Sequence, residues 1–189
     1  MFDTIKKSIL AGILIGFGVI INVQMEIPLI GPLLFSFGLL TIIYMKLYLF
    51  TGKIGFLITK DKMKISSLIL MILYNFVGIA ATVCLYACAN PAFVDLLSAA
   101  AAVKFSKSII VLFINACFCG ALIHFAVKNK QTILTVFAIM IFILIGAEHC
   151  IADFPYFLYN FSWMNCLKML SIILGNSLGA IIIEGLISE

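Results

Sequence analysis

Uncharged, strongly apolar runs separated by short charged clusters set the rhythm of this chain. The runs cover residues 8–25, 27–45, 65–94, 108–127, 131–147 and 169–183. A helix needs about 20 apolar residues to cross the hydrocarbon core of a bilayer. One crossing per run, with flanking residues lengthening the shorter ones, predicts an all-α integral membrane protein with six transmembrane helices. Lysines then orient it. Lys6 and Lys7 precede the first run, Lys60, Lys62 and Lys64 follow the second, and Lys128 and Lys130 follow the fourth. With six crossings these fall on one side, whereas Lys104, Lys107 and Lys168 fall on the other. An excess of lysine marks the cytoplasmic face, so both termini are expected inside, on a multi-pass protein of the inner or plasma membrane.

Two interruptions carry more information than the runs. Lys46 and the stretch Tyr48-Leu49-Phe50-Thr51-Gly52-Lys53 break the apolar pattern after Met45. Glu148-His149-Cys150-Ile151-Ala152-Asp153 breaks it again after Ala147. Each break falls in the second crossing of a three-crossing half, residues 1–95 and 96–189. Irregular backbone at membrane depth persists only where protein or a water-filled path satisfies it. Paired breaks at matching positions point to an inverted 3+3 repeat with a central transport site. The alternative is a pair of re-entrant or interfacial loops that serve packing.

Composition narrows the class. Hydrophobic residues make up 65% of the 189 positions and charged ones 11%, against about 45–50% and about 25% in soluble domains. Every basic residue is lysine, and the net charge of +4 is small and scattered, which excludes nucleic acid as a partner. Most of the six cysteines lie inside apolar runs and none forms a CxxC pair, so they read as small packing residues rather than metal ligands or disulfides. No cofactor is expected. The first run ends at Glu26 without a small-residue cleavage pattern, so no cleavable leader is expected either.

The broken stretches also carry recognisable motifs. Gly31-Pro32-Leu33-Leu34-Phe35-Ser36-Phe37-Gly38-Leu39, followed by Leu49-Phe50-Thr51-Gly52, resembles the FSxGL…LFTG signature of the formate–nitrite transporter family. Gly146-Ala147-Glu148-His149-Cys150-Ile151-Ala152 resembles its GxEHSIAN loop. Gly175-Asn176-Ser177-Leu178-Gly179 resembles the GNxxG of its last helix, and Gly12 to Gly16 its first. The resemblance implies a homopentamer of aquaporin-like outline in which each protomer has its own pore for small monovalent anions. It also implies two dry constrictions about a chamber holding His149. Phe35, Leu39, Leu49 and Phe50 would form the cytoplasmic one, with Thr51 at the loop, and Ile123 and Phe142 the periplasmic one. Lys104 takes the vestibule position and Asn176 that of a polar pore residue. Tyr48 stands in place of an acid, Asp153 of an Asn and Gly120 of a common Asn, and Lys46 has no counterpart.

The chemistry such a path requires is specific. An ion entering low dielectric meets a penalty of several kcal/mol in practice. A lysine at the mouth concentrates anions. A proton on formate, nitrite or hydrosulfide turns each into a neutral acid that crosses apolar surface far more cheaply. Histidine is suited to exchange that proton near neutral pH, which favours His149 in this role. Glu148 is expected to support the loop by accepting from its backbone N–H groups, and His124, in an apolar run without a matching motif, to be structural. A membrane-embedded acid–base or metal enzyme built on Glu148, His149, Cys150 and Asp153 is the alternative from another class. A structural subunit of a larger complex is a third.

Overall fold

The computed structural model of the chain describes residues 2–59, 63–129 and 131–188. Lys60, Lys62 and Lys130 of the lysine count lie outside the described residues. The elements run α1 (Phe2–Gln24), α2 (Ile30–Tyr44), α3 (Phe50–Lys53), a 3-10 turn (Ile54–Ile58), α4 (Ile65–Ala89), α5 (Pro91–Ser106), α6 (Ile109–Asn129), α7 (Thr132–Leu144), α8 (Cys150–Tyr159) and α9 (Trp163–Ile187). Among the described residues there is no strand. Four helices, α1, α4, α6 and α9, are long and apolar enough to cross a membrane. Helices α2 and α7 are equally apolar but only 15 and 13 residues long. At 1.5 Å per residue they reach about 20 Å, short of the roughly 30 Å hydrocarbon core.

Two element bounds differ from the sequence pattern, each for a local reason. The uncharged run 65–94 holds one helix and the start of another, because Pro91 lacks an N–H and pushes Asn90 out of the helical region. Pro91 then sits at the first turn of α5, where its fixed φ suits a helix start. The last run grows to Trp163–Ile187 by absorbing two charges. Lys168 donates to the Phe105 carbonyl at 2.6 Å, and Glu184 is buried against His124 and Lys128.

Close helix pairs hold the scaffold. Helix α1 lies along α4, where Gly12 faces the Asn75 carbonyl and Gly78 the Ile9 carbonyl. Helix α6 lies along α9, where Gly120 faces the Asn176 carbonyl and Gly179 the Cys117 carbonyl. At each point a Cβ would collide with the partner's backbone, so small residues set the helix separation. Ile15, Leu39, Ile79, Leu112, Ile139 and Ile172 fill the interior, while Leu85, Val103, Leu174 and Trp163 point outward. An apolar exterior over a tightly packed interior is what lipid selects and water does not.

Candidate functional site

The two breaks are built alike from the backbone up. Helix α2 ends with Lys46 in the left-handed region (φ 53), and Lys46 N and Leu47 N donate back to Ile43 O at 3.2 Å and Ile42 O at 2.9 Å. Helix α7 ends with Gly146 (φ 69), and Gly146 N and Ala147 N donate to Ile143 O at 3.0 Å and Phe142 O at 2.9 Å. Both are Schellman closures, which satisfy the last carbonyls of a helix and need a left-handed residue. Glycine meets that need freely, whereas a lysine there costs about 1–2 kcal/mol. The chain then extends through Leu49 or His149 before α3 or α8 begins.

A buried asparagine clamps each break. Asn75 of α4 accepts from Phe50 N at 2.9 Å and donates to the carbonyls of Ser8 and Tyr48, both at 2.8 Å. Asn176 of α9 accepts from Cys150 N at 2.8 Å and donates to Ala116 O at 2.8 Å and Glu148 O at 2.7 Å. Each side-chain amide thus serves both the broken segment and a neighbouring long helix. These bonds meet the demand of polar backbone buried at depth.

The breaks meet at one contact, where Thr51 Oγ1 lies 2.8 Å from His149 Nε2. His149 also caps α8, its Nδ1 accepting the Ala152 N–H at 3.0 Å. With Nδ1 so engaged, the proton of the neutral ring sits on Nε2 and is donated to Thr51. The Thr51 hydroxyl keeps its own O–H as a donor. Thr51 is fully buried and His149 is 2% exposed.

Small cavities open on either side. One, of about 120 Å³, is lined by Phe35, Phe142, Lys104, His149, Asp153 and Tyr156 among others. Behind it, Lys104 bonds one Glu148 oxygen and reaches Asp153 Oδ1 at 2.8 Å, while Lys107 holds the other Glu148 oxygen at 2.7 Å. The second, of about 440 Å³, is lined by Leu39, Leu49, Tyr48, Lys7, Lys46 and Lys53 among others. There the Tyr48 ring lies 5.3 Å from Lys7 Nζ and 5.9 Å from Lys53 Nζ. His149 lines the smaller cavity, and Leu49 and Gly52, which flank Thr51 in the chain, line the larger.

The sequence profile of the formate/nitrite transporter family matches residues 1–188. The chain belongs to that family. Its members are channels and transporters for small anions, not enzymes. No curated protein sequence matches the chain. Among solved structures, a pentameric formate channel with formate bound superposes with a TM-score of 0.77 at 18% identity, covering 98% of this chain and 93% of that one. An FNT family ion channel superposes with a TM-score of 0.79 at 21% identity, covering 96% and 87%. The fold is therefore that of formate/nitrite transporter channels.

The structure places Leu39 and Leu49 at one cavity and Phe35, Lys104, Phe142 and His149 at the other. Leu39 and Leu49 line the lysine-rich cavity, and Phe50 is buried beside them on α3. Ile123 is buried on α6. Phe35, grouped by motif with Leu39, instead meets Phe142 edge to face at 6.0 Å and lines the Lys104 cavity. Four residues are one helical turn, which carries Phe35 about 6 Å toward the N-terminal end of α2. Asn176 is a positioning residue, since both of its N–H donors are spent on backbone carbonyls. Glu148 gives its carboxylate to two lysines rather than to loop N–H groups, because ammonium groups are the stronger donors. Asn75 was missed altogether, although Asn75-x-x-Gly78 repeats the Asn176-x-x-Gly179 spacing and signals it. His124 holds Glu184 at 2.6 Å, with Lys128 on the same carboxylate, and its ring lies 5.1 Å from that of Phe56.

Proposed function

We propose that the chain is a pore for small monovalent anions of weak acids, of the formate, nitrite and hydrosulfide class, with protonation coupled to His149. The observation that carries this reading is the buried Thr51–His149 hydrogen bond, the polar link between two apolar closures. From outside, an anion would meet Lys104, then Phe35 and Phe142, with Ile123 behind them. It would next meet Thr51 and His149, then Leu39, Leu49 and Phe50, and leave past Tyr48 and Lys46. The paired helices α2–α3 and α7–α8 would complete six crossings as an inverted repeat of residues 1–95 and 96–189, with α5 joining the halves. Lys7 lines the same cavity as Val127, whose neighbour Lys128 binds Glu184 near the end of α9. Both termini thus lie at one end, which the lysine pattern makes cytoplasmic. The related pentameric formate channel supports a homopentamer with a pore in each protomer.

His149 takes up a second proton only by releasing the Ala152 N–H from Nδ1. Protonation should therefore loosen the start of α8, so that charge and conformation change together. An anion in the chamber favours the imidazolium, and the imidazolium favours the anion. Formate flux into proteoliposomes, measured across pH for the wild type and His149→Asn, tests the reading. The variant should assemble but lose the wild-type pH profile. An unchanged profile and rate would reduce His149 to a helix cap, and a wild type that carries no formate would end the proposal.

A further inference from the structure

Asp153 stands where the family resemblance calls for an asparagine, and its surroundings give that difference a use. It lies in the first turn of α8, is 3% exposed and lines the 120 Å³ outer cavity beside His149, Lys104, Phe35 and Phe142. Its Oδ1 is held by Lys104 at 2.8 Å. Its Oδ2 is buried without a hydrogen-bond partner among the described residues. A carboxylate oxygen in that position lacks a donor, which a proton or a donating ligand supplies.

The charge count around it is equally telling. Lys104 from α5 and Lys107 just after it face Glu148 from the loop and Asp153 from α8. With all four ionised the cluster sums to zero. An asparagine at 153 would leave it one positive charge, a fixed reward for any monovalent anion. Here an anion receives no such reward unless Asp153 is neutral. The remaining titratable neighbours are His149, the Tyr156 hydroxyl one turn along α8, and the buried thiols of Cys119 on α6 and Cys150.

Resting on the channel reading above, we infer that Asp153 is the proton-exchange site of the outer cavity and restricts the pore to anions of weak acids. With its proton on Oδ2, Asp153 leaves Lys104 and Lys107 one charge in excess, which draws the anion in. The O–H bond at Oδ2 then breaks as the substrate's basic oxygen or sulfur takes the proton. Neutral acid passes Phe35 and Phe142, and the carboxylate left behind stays paired with Lys104 until outer water returns a proton to it. In the other direction the acid delivers its proton to Asp153 and leaves as the anion. The anion of a strong acid enters but cannot take the proton, so it keeps its charge and stops at the aromatic pair.

Asp153→Asn separates this role from a structural one, because its amide oxygen still accepts from Lys104 while the proton is gone. Purified wild type, Asp153→Asn and Asp153→Glu are compared in proteoliposomes for uptake of formate and of nitrate, across pH. The wild type should carry formate faster as pH falls and nearly exclude nitrate. Asp153→Asn should flatten the formate pH profile and leave nitrate stopped at the aromatic pair, and Asp153→Glu should behave as wild type. An Asp153→Asn protein that keeps the wild-type formate pH profile overturns the inference, and so does one that passes nitrate freely. If Asp153→Asn does not assemble, difference infrared spectra of wild type and Asp153→Glu on formate binding decide. A protonated-carboxyl band that is lost with formate and shifted by Asp153→Glu supports it, and no such band overturns it. A wild type that carries neither anion refutes the channel reading itself and this inference with it.

Discussion

The two breaks share a backbone geometry and differ in the charged and polar side chains around them. Both follow a Schellman closure and both are clamped by a buried asparagine in a long helix. At the first break Lys7, Lys46 and Lys53 line the cavity, and Lys7 is paired with Asp3 at 2.9 Å. At the second, two lysines are balanced by Glu148 and Asp153. The second break also supplies His149, which caps its own helix, whereas Leu49 in the same place caps nothing. Scaffold and chemistry are therefore separable. Geometry is duplicated, while the charged side chains differ from one break to the other.

The largest expected effect comes from removing a clamp. Asn176→Ala leaves the Cys150 N–H and the Ala116 and Glu148 carbonyls without partners, at a cost of about 3 kcal/mol in thermal or denaturant unfolding. Asn75→Ala should cost nearly the same. Values that differ severalfold would show that the breaks are not equivalent scaffolds.

Charge removal comes next. Lys104→Gln leaves Glu148 and Asp153 facing Lys107 alone, which turns the outer mouth negative. Anion flux at low substrate should fall roughly tenfold, and high salt should restore part of it. A salt-insensitive loss would mean that Lys104 acts through packing.

Exchanging the left-handed residues gives smaller effects of opposite sign. Lys46→Gly should stabilise the protein by about 1 kcal/mol and Gly146→Ala destabilise it by a similar amount, since both depend on the same backbone region. The Gly146→Ala cost is backbone alone, because a Cβ there meets only Lys107 Nζ, at 4.0 Å. A neutral or destabilising Lys46→Gly in unfolding measurements would show that the lysine side chain holds the loop. Smallest of all, Lys107→Gln at the rim should lower flux less than Lys104→Gln, because one Glu148 oxygen keeps its bond to Lys104.

Much of this was legible in the sequence because charge is scarce in a membrane chain. Lys46, Glu148 and Asp153 marked the breaks, and the family motifs placed Thr51 and His149 on them before any contact was known. Helix phase was harder to read. The motif writes Phe35 and Leu39 as one unit, yet one turn apart they line different cavities. Long-range partners were hidden as well. Nothing local to Glu148 reveals two lysines more than forty residues earlier, and nothing local to Glu184 reveals His124 and Lys128. Pro91 was visible, but the absence of charge around it hid the start of α5.

The account turns on Thr51 and His149 acting as one contact across the two breaks. A double-mutant cycle on formate flux tests this directly, with Thr51→Val, His149→Asn and the pair measured in proteoliposomes at fixed pH. If the contact is the unit, each single variant lowers flux and the pair is no worse than the more damaging single, a strong non-additivity. Losses that simply multiply would show that the two residues act independently and would contradict the account.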